Sequence, residues 1–127
     1  MSMIIDGVLK PPENKTEAPK MQKILRGLAA SPGIYKGQAK IVLSQADFGK
    51  LKPGDVLVCP TITSAWTVLF AKVSALVTDS GGLLSHAAIV AREYGIPAVV
   101  STGNGTSSIR DGQIVKVDGN KGVVYLQ

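Results

Sequence analysis

One histidine stands in this chain of 127 residues, and the residues around it are those whose types and spacing suit chemistry. His86 lies in the stretch Gly81-Gly82-Leu83-Leu84-Ser85-His86-Ala87-Ala88-Ile89-Val90-Ala91-Arg92-Glu93. Ser85 reads as a helix N-cap, because its hydroxyl can accept from an amide one turn on. Gly95, with Pro97 just beyond it, reads as the C-terminal stop. This spacing predicts a helix of roughly nine residues with His86 at its first position. At such an end several amides point outward unpaired and the helix dipole is positive, so anions are attracted, phosphate above all. An imidazole is also a nucleophile: an ordinary one is largely neutral at pH 7 and offers a nitrogen lone pair. Attack on a phosphoryl group gives a labile phosphoramidate, which divides one transfer into two. His86 is therefore the candidate catalytic residue. Gly81 and Gly82, which let a backbone or ligand approach closely, and the capping Ser85 are candidate supports of a phosphate site. A lone histidine in an apolar stretch is as a rule a packed or surface residue with no chemistry. Position alone leaves both readings open.

The same residues resemble the phosphohistidine motif of enzymes that use phosphoenolpyruvate. These include pyruvate phosphate dikinase, phosphoenolpyruvate synthase and enzyme I of the sugar phosphotransferase system, with related domains in rifampin phosphotransferase and phenylphosphate synthase. The family pattern is two glycines, a short spacer, a Ser, Thr or Cys, the phosphorylated histidine, and a small-apolar run ending in Ala-Arg. It maps onto Gly81, Gly82, Ser85, His86, Ala91 and Arg92. The likeness continues through Gly95-Ile96-Pro97-Ala98-Val99 and Asp111-Gly112, and reaches back to Ser31-Pro32-Gly33.

The resemblance implies an α/β fold, the compact swivelling β/β/α domain, with the histidine exposed where loop meets helix. It implies that His86 takes a phosphoryl group from an ATP- or phosphoenolpyruvate-dependent partner and passes it to an acceptor. The chain is then the phosphoryl-carrying part of a phosphotransferase, incomplete alone. The implied partners are a nucleotide-binding, ATP-grasp-like domain and a phosphoenolpyruvate- or acceptor-binding domain or subunit. Mg²⁺ with ATP or phosphoenolpyruvate is expected at those partners, and no cofactor on this chain. One position departs from the pattern: Leu84 stands where the dikinases and enzyme I usually have threonine. That removes a hydroxyl near the phosphoryl site and looks more like the rifampin phosphotransferase and phenylphosphate synthase group. It also supports an alternative, a non-catalytic binding or regulatory module that keeps the fold and docks through the histidine face.

Composition narrows the rest. At 13.2 kDa the chain suits one domain with one core. The net charge of +5 is spread thinly, without the clustered Lys/Arg and stacking aromatics of a nucleic-acid surface. No apolar run approaches the roughly 20 residues of a membrane helix. The opening MSMIIDGVLK lacks the pattern of a secretory signal, and Cys59 is the only cysteine, so a cytoplasmic setting is expected. There is no phosphate-binding glycine loop followed by Lys-Ser/Thr. One His and one Cys give no metal-ligand spacing, so no metal site is expected.

The elements that must position His86 follow from pattern. Residues 1–23, with Pro11-Pro12-Glu13-Asn14-Lys15, read as a flexible tail or linker, leaving 24–127 as the domain. ILRGLAA (24–30) reads as one strand, and Gly37 to Leu43 as a second with Ala39, Ile41 and Leu43 on one face. Ser44 to Lys50 reads as a turn or one helical turn, and Val56–Cys59 and Ala75–Thr78 as buried strands. Ser64 to Val73 reads as a helix capped by Ser64, with Trp66 and Phe70 paired at i,i+4. Trp66 is expected to pack in the core or dock a partner. Arg92, six positions beyond His86, lies about 240° round the helix and suits a salt bridge or docking better than the same phosphate. Ala98–Val100 is a short strand, 103–108 a glycine- and serine-rich loop, and 113–126 a hairpin.

Overall fold

The structure is a computed structural model that describes residues 23–127. The expected tail therefore lies outside the described residues except for Lys23, which already belongs to a strand. Short apolar, β-branched runs bounded by glycine, proline and aspartate turns make eight strands. They are β1 (Lys23–Arg26), β2 (Leu28–Ser31), β3 (Ile34–Ile41), β4 (Val56–Cys59), β5 (Ala75–Thr78), β6 (Ala98–Val100), β7 (Ile114–Asp118) and β8 (Val123–Leu126). They form one ladder in the order β1-β8-β7-β3-β4-β5-β6-β2.

That ladder folds into two layers because β3 serves both. Its first half, Ile34 to Gln38, pairs antiparallel with β7, and its second half, Ala39 to Ile41, pairs parallel with β4. β1, β8 and β7 complete an antiparallel layer. β4, β5 and β6 are parallel, and β2 closes that layer antiparallel to β6. Alternate side chains of the parallel layer go to opposite faces. Val56, Val58, Ala75, Val77 and Val99 meet Leu25, Val115, Val117 and Val124 between the two sheets. Leu57, Cys59, Leu76 and Val100 face Leu69, Phe70, Ala87, Ala88, Val90 and Ala91 of the helical layer. Strands covered on both faces are apolar throughout, which is why VLVC and ALVT read as buried runs. The result is the β/β/α architecture that the resemblance implied.

Three local expectations change. The run 24–30 is not one strand: Gly27 ends β1 and starts β2, and these are the two opposite edges of the ladder. A Cβ at Gly27 would lie 2.3 Å from the Val100 carbonyl oxygen, and its amide donates to Gly122 O at 2.9 Å. Only glycine lets the chain cross from edge to edge there. The helix expected over 64–73 is a 3₁₀ segment, Ser64–Ala71, flanked by Thr63 in the capping position with no side-chain cap bond. At three residues per turn, i and i+4 point about 120° apart. Trp66 accordingly packs edge-on against Phe48, with ring centroids 5.2 Å apart, and Phe70 packs against Tyr94 at 5.7 Å. The third change concerns Leu43. β3 ends at Ile41, and Leu43 is exposed with its amide bound to the Asp47 carboxylate. Residues Gln45–Lys50 form a second 3₁₀ segment.

Candidate functional site

The loop that carries Gly81 and Gly82 leaves β5 and is fastened at its root. Asp79 and Ser80 donate their amides to Cys59 O and Pro60 O, both at 3.1 Å. Thr78 Oγ1 donates to Ser80 O at 2.7 Å. The Asp79 carboxylate accepts from the Thr106 amide at 2.9 Å and from Thr106 Oγ1 at 2.6 Å. Thr106 belongs to a short helix, α2 (Gly105–Ser108), which replaces the expected open loop. That glycine- and serine-rich stretch is held by Asp79 and does not reach out toward a ligand.

Gly81 turns the loop with φ +112, a conformation that side chains rarely adopt, and a Cβ there would lie 3.1 Å from Ser85 Oγ. The helix α1 follows, His86–Tyr94, with Ser85 at the N-cap and Gly95 at the C-cap. Both caps match the sequence reading. The Ser85 hydroxyl accepts from the Ala88 amide at 3.3 Å and donates to Gly82 O at 2.7 Å. Its single proton is held by the loop, so Ser85 shapes the site and the free donors are backbone amides. Those of His86 and Ala87, the first helical positions, have no acceptor within the helix. At the other end the Gly95 and Ile96 amides close onto Arg92 O and Ala91 O.

α1 buries Ala87, Ala88, Val90 and Ala91 on the parallel layer and leaves His86 exposed. His86 Nε2 lies 3.1 Å from Thr67 Oγ1 on the 3₁₀ segment. Sequence reasoning missed Thr67, which is 19 positions away in a stretch with no motif of its own. Among the described residues Arg92 makes no salt bridge and no hydrogen bond to His86. Its Nε donates to Ala30 O of β2 at 2.7 Å, and an NH₂ group donates to Leu83 O. It ties the glycine loop to the sheet edge. Trp66 is half-buried against the helical-layer core. The structure thus gathers Gly81, Gly82, Ser85 and Arg92 around the loop and root of α1, and sets Trp66 one residue before the histidine's partner.

Burial, with the Asp79 charge adding to it, pushes the Cys59 thiol far above its ordinary value, so it is no competing nucleophile. Among the described residues no three His, Cys, Asp or Glu side chains gather as a metal site, and no helix is long and apolar enough to cross a membrane. A shallow cleft of about 340 Å³, lined by Arg110, Asp111, Gly112, Gln113 and Gln127, shares no residue with the histidine loop.

A single exposed ring on the rim of a rigid platform suits a carrier that works inside another domain's site, and comparison with known proteins gives the same class. The profile described as PEP-utilising enzyme, mobile domain, matches residues 51–122. The chain belongs to that family. It is 53% identical over 100 residues to the uncharacterized phosphotransferase YvkC of Bacillus subtilis, covering 79% of this chain and 12% of that protein. It is 47% identical over 117 residues to the phosphoenolpyruvate synthase of Aeropyrum pernix, covering 91% of this chain and 14% of that one. Among solved structures it is similar to Enzyme I (nEIt), with 37% identity and a TM-score of 0.56, over 64% of this chain and 34% of the other. The chain spans only 3% to 14% of the length of three curated relatives, so most of each relative consists of other parts.

Proposed function

We propose that His86 is the residue that carries the phosphoryl group. The observation behind this is its exposed ring at the open N-terminus of α1, the only histidine of the chain, within the matched family segment. Nε2 is the outer ring nitrogen and the one that Thr67 touches. Its lone pair attacks the donor phosphorus: an N–P bond forms, the donor P–O bond breaks, and the electron pair leaves with the donor oxygen. Thr67 gives up its contact with Nε2 and its hydroxyl then stands beside the phosphoryl oxygens. The His86 and Ala87 amides and the helix dipole favour the added negative charge. In the second step an acceptor oxygen attacks phosphorus and loses its proton to the acceptor site. The N–P bond breaks and its electron pair returns to the ring. What this chain supplies is position, an available nitrogen and charge stabilisation, which are the main demands of phosphoryl transfer.

The remaining parts belong to partners within the same proposal. An ATP-grasp-like nucleotide domain or a phosphoenolpyruvate-binding domain is the donor, and Mg²⁺ bound there with its substrate neutralises phosphate charge. The cytoplasm is the proposed setting, consistent with one buried free cysteine. Residues 1–22 would serve as the tether of a mobile domain.

The test is phosphorylation in a lysate of the source cells supplied with ATP or phosphoenolpyruvate, read by mass spectrometry. The expected result is an acid-labile, base-stable adduct on His86 that is absent in His86→Ala, with the folded state of the variant unchanged. Equal labelling of His86→Ala would sink the assignment. No adduct with either donor, while a known phosphohistidine protein in the same lysate is labelled, would favour the second reading. That reading, a docking module without chemistry, draws on Leu84, which is 86% exposed beside the histidine.

A further inference from the structure

Ten large hydrophobic residues are exposed among the described residues, and four of them stand close in the chain to His86 or to its partner Thr67. Leu83 and Leu84 lie three and two positions before His86 and are 47% and 86% exposed. Ile89, 42% exposed, lies one turn beyond His86 on the same face of α1. Val68, 71% exposed, follows Thr67, whose hydroxyl touches the histidine. Single exposed hydrophobics are ordinary, whereas a group of them about a reactive residue marks a contact surface. The charged residues of α1, Arg92 and Glu93, lie in its last turns, and Arg92 is held by Ala30 and Leu83. Asp79 is engaged by Thr106. The four collar side chains are themselves apolar.

Resting on the carrier reading above, we propose that Val68, Leu83, Leu84 and Ile89 form an apolar docking collar. Its occupant is the domain that charges His86, and Leu84 is its centre. Two arguments select that occupant. The chain makes up a small fraction of its relatives' length, so a charging site has to come from another part, and any site that closes over the exposed ring also covers the collar. The two visits of a carrier also differ in charge. After charging, the ring bears a phosphoryl group with a charge near −2, and a cationic site attracts it from a distance. Before charging, the ring carries no phosphoryl charge and the four collar side chains are apolar, so apolar burial is what holds the two surfaces together.

The experiment compares wild type, Leu84→Asp and Val68→Asp as purified full chains titrated into a lysate of the source cells with ³²P-labelled ATP or phosphoenolpyruvate. Both positions are largely exposed, so the variants fold. Free phosphoramidate, which needs no docking surface, is the control. It gives its phosphoryl group to the ring with release of ammonia. The expected result is at least a tenfold rise in half-saturating concentration for both variants, an unchanged rate at saturation, and equal charging by phosphoramidate. For wild type the half-saturating concentration changes less than twofold between 50 and 300 mM salt. An unchanged half-saturation in both variants would overturn the collar, as would a loss confined to transfer from charged His86 to the acceptor. If wild type itself is charged by phosphoramidate but by neither lysate donor, the carrier reading has failed and not the collar alone.

Discussion

In the proposed transfer, Thr67 is the residue that sets the state of the His86 ring. Its hydroxyl lies 3.1 Å from Nε2, and among the described residues no other side chain bonds to the ring. A neutral imidazole has two tautomers, and the partner of one nitrogen selects where the proton sits. With Thr67 as donor, Nε2 keeps its lone pair and the proton rests on Nδ1. Replacing Thr67 by Val keeps the shape and removes this contact. A hydrogen bond of this kind is worth roughly a two- to tenfold change in rate. The saturating rate of His86 phosphorylation should fall by that factor in Thr67→Val, with half-saturation unchanged, and Thr67→Ser should restore it. Ring ¹⁵N shifts should show a mixture of tautomers in the Val variant. A rate equal to wild type would remove Thr67 from the mechanism. Ser85 and Arg92, by contrast, act on the loop: one closes it onto Gly82, the other binds Leu83 to β2 through Ala30.

The elements that hold this site depend on places where two strands nearly touch. Gly27 is the sharpest case, since a Cβ there would meet the Val100 carbonyl at 2.3 Å, well inside contact distance. Gly27→Ala has to push β2 away from β6, at a cost of about 1–3 kcal/mol. For domains near this size that lowers the melting temperature by roughly 4–8 °C for each kcal/mol. Calorimetry should show the loss, while His86 phosphorylation per folded molecule stays within twofold of wild type. A melting temperature equal to wild type would mean that the two edges are not locked together here. The same residue shows what sequence can and cannot convey. α1 was legible end to end because its signals, Ser85 and Gly95, are local and adjoin what they cap. β4 and β5 were legible because burial on both faces leaves unbroken apolar runs. Gly27 was not, because the groups that require it, Val100 and Gly122, are far away in sequence. The 3₁₀ winding of Ser64–Ala71 was hidden for a similar reason. Its helical spacing was visible, but Phe48 and Tyr94, which receive Trp66 and Phe70, come from other elements. Thr67 was lost with it.

At the scale of the whole molecule the two sheet layers must act as one body if a ring on the rim is to be placed accurately in another domain. Their common strand, β3, changes partners between Gln38 and Ala39, and the corner beyond it is bound by Asp111. One carboxylate oxygen accepts from the Ile41 amide at 2.6 Å, and the other meets Lys50 Nζ at 2.8 Å. Lys50 also donates to Ile41 O at 2.6 Å, and the Gly112 amide donates to Ala39 O at 2.7 Å. Partial burial works upward on the Asp111 carboxyl. The Lys50 and Ile41 hydrogen bonds, with the Lys50 and Lys40 charges, outweigh it and hold the group below its ordinary value. A carboxyl lowered by folding contributes stability that is complete above its unfolded value, near pH 4, and disappears as pH falls through the folded value. The side chain is 49% exposed, so solvent screens the pair and its worth at pH 7 is no more than about 0.5–1 kcal/mol. Urea unfolding of wild type and Asp111→Asn should therefore differ by about that amount at pH 7. The two curves should approach each other as pH falls below the ordinary carboxylate range, and the gap should narrow in 1 M salt. A gap that stays unchanged both down the acid limb and in 1 M salt would mean that Asp111 holds the corner by shape and not by charge.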